Sequence, residues 1–346
     1  MKLRHSIAIF TLIIIFAGIS SALTMGNWQG APDSDANKPA GTGNWTDPYW
    51  NKPPVALPAA PGTPGAEIKI IKPGASCTIN SNVGTYDCKI SIGGGADLAT
   101  APKLEITNGG NLGIGETRVG SGGSASSGAI GCLIQTGGTL TLSNKLFIGR
   151  YGTSTTNPNE GKGFYTISGG TLTYLATSTE GGLYVGAAGS GGVSEGTFTI
   201  AGKQPKINLK KIYIGGDGKK CAGNGIIEFE LDVNGVSPAK ITDGVYLDMF
   251  GEQSKAMLTV NADASAPKTD IMLIETEGGS PVNGVFDTAN GNPAPEGAEV
   301  VLKAADGSYS YKLTYTGGSG NDIMLKFVKF TPAANSAAAE PNTAKK

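Results

Sequence analysis

A short step closed by glycine returns four times through the middle of the chain: Arg118-Val119-Gly120, Phe147-Ile148-Gly149, Tyr184-Val185-Gly186 and Tyr213-Ile214-Gly215. The closing glycines stand 29, 37 and 29 residues apart. Ahead of the steps lie turns of one type, Asn108-Gly109-Gly110, Thr136-Gly137-Gly138 and Ser168-Gly169-Gly170, with a degraded copy at Ala201-Gly202-Lys203. A near-constant period of this size marks a stacked repeat, in which no unit closes a core by itself.

Between turns the residues alternate. In the copy from Phe164 to Gly189, Tyr165, Ile167, Leu172 and Tyr174 are separated by Thr166, Ser168, Thr171 and Thr173. Period-two alternation puts one set of side chains inside and the other outside. The β-branched and aromatic residues suit a pleated, half-buried surface. Glycine pairs fall where the chain must turn sharply, since glycine alone takes positive φ without a Cβ clash. Two or three such strands with glycine corners wind into one coil of a right-handed parallel β-helix. The expected fold is therefore all-β, with a β-sandwich of short strands as the competing architecture.

The domain plan follows from texture. Residues 1–22 read as a secretory signal: Lys2, Arg4 and His5, then the apolar run Ile7 to Ile19, then Ser20-Ser21-Ala22. Residues 23–65 carry Trp28, Trp45 and Trp50 with many prolines, and read as an aromatic N-terminal cap. Residues 66–262 form the solenoid, 263–330 a hairpin-rich C-terminal cap, and 331–346 a disordered tail. A signal sequence implies export to the cell surface or beyond. No second apolar run is long enough to span a bilayer.

A net charge of −1 gives no strong field for nucleic acid or anionic membranes. After the first segment only Arg118 and Arg150 remain to fork a phosphate. Four cysteines, Cys77, Cys88, Cys132 and Cys221, in an exported chain suggest disulfides. Cys77 and Cys88 flank a turn-like segment and are the candidates for a local bridge; buried thiols are the alternative. No C-x-x-C spacing is present.

Three stretches carry a family resemblance: Gly43-Asn44-Trp45-Thr46-Asp47-Pro48, Ile167-Ser168-Gly169-Gly170-Thr171-Leu172-Thr173 and Tyr311 to Asp322. Together they resemble the autotransporter-associated β-strand repeat proteins, large secreted or surface bacterial β-helix proteins. The resemblance covers about Asn44 to Phe327 and implies architecture, not chemistry. The sequence departs from such proteins in showing no C-terminal membrane barrel.

The sole histidine, His5, lies in the segment expected to be removed, so Ser-His-Asp and Cys-His mechanisms have no base. Carboxylates are the remaining candidates. Glu228, Glu230 and Asp232 alternate with Phe229, Leu231 and Val233 and would share one face, roughly 6.5–7 Å apart. That spacing suits an inverting glycosidase pair or, more simply, a solvated strand. Gly317 to Leu325 fits a calcium-binding nonapeptide with Asp322 as ligand; a glycine-turn hairpin explains the same residues. Trp28, Trp45 and Trp50 offer faces for sugar rings or serve as a lid.

The expected function is that of a non-catalytic, exported solenoid without cofactor, calcium aside, meeting copies of itself or surface polysaccharide. A polysaccharide-active enzyme and a glycan-binding adhesin are the alternatives.

Overall fold

The computed structural model describes residues 26–28, 42–44, 67–86, 89–121, 129–150, 161–178, 181–187, 194–216, 223–247 and 254–333. Among these every regular element is a strand. They form a parallel β-solenoid whose coils have three faces. The first face stacks Gly26–Trp28, Glu67–Ile70, Lys89–Ile92, Thr117–Val119, Leu146–Ile148 and Gly182–Val185, and continues through 211–214 and 244–247 to Val282–Asn283. The second runs from Thr42–Asn44 through Ser76–Ile79 and Lys103–Ile106 to Lys255–Ala262 and Thr288–Ala289. The third runs from Asn82–Tyr86 and Asn111–Ile114 to Ile271–Thr276.

Alternate residues of each face turn inward and disappear from solvent. The second face contributes Leu104 and Ile106, then Tyr165 and Ile167, then Phe198 and Ile200, all at most 1% exposed. Each fully buried side chain of this kind is worth about 1.5–3 kcal/mol. Because the faces stack in register, each coil covers the apolar ends of its neighbours, and one core runs the length of the rod.

Glycine fixes two corners. Between the first and second faces, Gly120, Gly149, Gly186 and Gly215 all adopt positive φ. Each donates its N–H one rung back, as Gly149 does to Val119 O at 2.8 Å. A Cβ on Gly149 would lie 2.0 Å from Glu195 O. The Gly-Gly turns make the corner between the second and third faces. There the chain passes round inside single long strands, Ile130–Leu142 and Gly161–Tyr174, with register shifts at the bend. Connections at the first corner differ in length: strands end at Val119, Ile148, Val185 and Ile214 and resume at Ile130, Gly161, Ser194 and Gly223.

The boundaries differ from the sequence reading at both ends. Gly26–Trp28 and Thr42–Asn44 already pair parallel with the next coil, so the stack begins before residue 66. It continues past residue 262 to Thr288–Ala289. An antiparallel sheet then closes it, in the order Glu299–Ala304, Gly307–Gly317, Asp322–Pro332, with Asp322–Pro332 pairing onto Ile271–Thr276 of the third face. The last strand reaches two residues into the expected tail. This sheet lays Tyr309, Tyr311, Leu313, Ile323 and Leu325 over the end of the core, none more than 1% exposed.

The buried tyrosines should make the rod alkali-sensitive. Tyr165 donates to Gln135 Oε1 at 2.6 Å inside the core, and Tyr311 donates to Pro267 O. Tyr315 donates to Ala294 O at 2.7 Å and accepts from Phe286 N at 2.9 Å. Burial pushes all three phenols up, Tyr315 to about 12. An unfolded tyrosine ionises near pH ~10, so the folded chain holds these protons more tightly than the unfolded one. Their contribution is intact below that pH and is lost as pH rises through the folded values. Circular dichroism should stay constant from pH ~8 to ~10 and then fall, with phenolate absorbance rising in step. A full tyrosinate signal near pH ~10 with unchanged ellipticity would contradict it.

Candidate functional site

The tryptophans are placed only in part. Trp28 sits on the first strand of the first face, and Trp45 and Trp50 lie outside the described residues. Cys77 and Cys132 lie on the second face two coils apart, with Lys103–Ile106 between their strands, and project to opposite sides of it. Cys77 joins the core while Cys132 faces outward, and both are buried, so they form no bridge with each other. Cys88 and Cys221 lie outside the described residues.

Asp322 is buried at the root of the last hairpin, 2% exposed. Its Oδ1 accepts from Thr276 N at 2.7 Å and Thr276 Oγ1 at 3.3 Å; its Oδ2 accepts from Ser319 N at 2.7 Å and Ser319 Oγ at 3.1 Å. The carboxylate thus ties the hairpin turn to the third face. The nonapeptide residues form the antiparallel turn, with Gly317 paired to Asp322. No group of three or more metal-type ligands converges among the described residues.

The carboxylate row is real for two of its three members. Glu228 and Glu230 lie on one face of Gly223–Leu231, pointing away from the core. Asp232 does not continue the row. The strand stops at Leu231, and Asp232 turns the chain by exchanging backbone bonds with Gly235 and accepting from Asn234 N at 2.6 Å. Asn234-Gly235, with Gly235 at positive φ, is the turn signal that ends the alternation.

The two glutamates do different things. Glu228 accepts from Thr199 Oγ1 at 2.9 Å on the coil before and from Asn261 Nδ2 at 2.7 Å on the coil after. Glu230 lines a groove of about 1180 Å3 together with Asn261, Asp263, Asn290, Glu299, Val301 and Lys303. Burial against the wall, then repulsion from Glu228 and Asp263, raises its pKa from the ordinary glutamate value. The groove is thus polar and acidic, between the second face and the C-terminal sheet.

A second outward feature was hidden in the repeat steps. The residue two before each closing glycine falls in register on the first face, giving Arg118, Phe147, Tyr184 and Tyr213, and the column continues to Tyr246. The tyrosines stack, with centroids 4.6 Å apart for Tyr184–Tyr213 and 4.5 Å for Tyr213–Tyr246, and Phe147 lies tilted on Tyr184 at 4.9 Å. Arg150 lies 4.0 Å over the Phe147 ring and bonds Glu116 at 2.8 Å. Such spacing is favourable for aromatic pairs. It also covers both faces of the inner rings Tyr184 and Tyr213, so neither offers a face for a sugar to stack on. The steps contained the signal; only the register converts it into a ladder.

No protein-family model, curated protein or solved structure matches the chain. No helix among the described residues is long and apolar enough to cross a membrane.

Proposed function

We propose that this chain is a non-catalytic, exported scaffold, a rod working at the cell surface or in the extracellular matrix. On this reading its wall meets neighbouring copies or surface polysaccharide. One observation carries it: outward side chains brace one coil against the next. The ring ladder does so, as does Thr199–Glu228–Asn261, and so do the ion pairs Lys162–Glu195 at 3.4 Å, Lys211–Asp243 at 3.2 Å and Lys240–Glu275 at 3.2 Å. Single exposed pairs are worth little, about 0–1 kcal/mol. Repeated at several levels, they stiffen a surface. Side chains committed in this way serve shape. The resemblance of the repeat segments to autotransporter-associated proteins points the same way.

The raised pKa of Glu230 in its groove favours a second reading, a glycan-cleaving enzyme with Glu230 as general acid. A single experiment separates the two. The purified chain should turn over nothing on a panel of surface and matrix polysaccharides, and negative-stain images should show rods or their assemblies. Turnover that disappears in Glu230→Gln, with Tm unchanged, would replace the scaffold by the enzyme.

A further inference from the structure

The groove beside Glu230 is bounded by two strand edges, and one of them is open. On the solenoid side, Lys255–Ala262 pairs onward with Thr288–Ala289 only through Met257 and Leu258. Beyond that point a side chain replaces the missing strand. Asn290 Oδ1 accepts from Val260 N at 2.8 Å, and Asn290 Nδ2 donates to Val260 O at 3.0 Å. The parallel ladder is therefore terminated there by an amide.

On the other side stands Glu299–Ala304, the outermost strand of the C-terminal sheet, paired only with Gly307–Gly317. Leu313 N donates to Ala298 O at 2.9 Å, which fixes the alternation of the pair. Val300, Leu302 and Ala304 direct their backbone groups to that partner. Glu299, Val301 and Lys303 direct theirs the other way, into the groove. Ala305, next in the same alternation, shows the direction: its N–H reaches Asp263 O at 2.9 Å. The two edges are thus joined at Asp263–Ala305 and leave the slot open alongside 299–303. Among the described residues no backbone group pairs with Glu299, Val301 or Lys303 on that side.

An unpaired strand edge is a template for one more strand. Five residues of edge span roughly 17 Å at ~3.4 Å each, the length of an ordinary strand. The charge of the slot selects its occupant: Glu230, Asp263 and Glu299 line it, against Lys303 alone. Val301, 45% exposed, adds an apolar contact for a β-branched neighbour. We propose that this slot binds an extended, lysine-bearing peptide segment of another protein by strand addition to Glu299–Ala304. The peptide's main chain pairs with Glu299, Val301 and Lys303, and its lysines meet the acids. The proposal does not rest on the scaffold reading, since an enzyme would keep the same edge.

The test uses the full mature chain and a fluorescent peptide of alternating Lys and Thr, read by anisotropy. The peptide should bind, more weakly as salt rises, and an alternating Glu and Thr peptide should not. Methylating the peptide's backbone nitrogens at alternate residues, in the register that faces the edge, should weaken binding at least about tenfold against unchanged protein. Val301→Pro removes a slot-facing donor and leaves the pairing with Gly307–Gly317 intact; it should cause a loss of similar size without changing Tm. Asp263→Asn should weaken binding several-fold. Equal binding of the Lys and Glu peptides, or indifference to both backbone changes, would overturn the proposal. So would self-association of the chain that Val301→Pro abolishes, which would make a second copy the occupant.

Discussion

Replacing Gly149 by alanine is expected to lower stability by about 2–5 kcal/mol, a large share of what a domain possesses. Two costs combine. Gly149 sits at φ +71, where an L-residue pays about 1–2 kcal/mol. Its new methyl would also stand 2.0 Å from Glu195 O and 2.4 Å from Glu195 C, both backbone atoms of the next coil. Backbone cannot rotate aside as a side chain does, so coils must separate or the corner must deform, typically another 1–3 kcal/mol or so. Urea unfolding of the variant should show a lower midpoint. Gly74, with positive φ but nothing within 4 Å of the built Cβ, provides the control: Gly74→Ala should cost only about 1–2 kcal/mol. Equal midpoints for the two variants would mean that coil packing at this corner contributes nothing.

Ending the chain before Asp322 should make the rod aggregate. The strand Asp322–Pro332 is central to the closing sheet, bonded on one side to Gly307–Gly317 and on the other to Ile271–Thr276. Its removal bares both edges. It uncovers buried Ile271, Leu273 and Leu313, and deprives Thr276 N of the Asp322 carboxylate. Open edges beside apolar surface recruit other chains. Light scattering at micromolar concentration should rise with time in the truncated chain and stay flat in the intact one. A monomeric truncated chain with the original Tm would show that the solenoid closes without its cap.

Much of this could be read from residues. The closing steps and Gly-Gly turns announce stacked coils, and the glycines do occupy corners at positive φ. The hairpin at Gly317 to Asp322 follows from its glycine turn. The number of faces did not follow: the Gly-Gly bend is carried inside continuous strands such as Gly161–Tyr174, where the inward set shifts from Tyr165, Ile167 and Gly169 to Leu172, and a glycine pair marks that the chain turns but not by how much. Glu228 and Glu230 share a face as their spacing requires, whereas Asp232 was lost to a turn encoded two residues later. The ends of the stack were set too narrowly at 66 and 262, since rungs such as Thr288–Ala289 are too short to leave a pattern. The slot could not be read at all. It depends on which way the backbone of Glu299–Ala304 faces, and no side chain encodes that.

The rungs on either side of the first corner stay paired, Ile148 with Val185 and Gly161 with Ser194, although more residues separate Ile148 from Gly161 than Ile214 from Gly223. Extra length is therefore accommodated along a single seam of the prism, without cost to the hydrogen bonds on either side of it. Such a seam is where a lineage can lengthen, shorten or exchange whole segments while the framework beneath stays the same. It is equally the place at which a foreign epitope spliced into the molecule would be displayed at chosen heights along its axis.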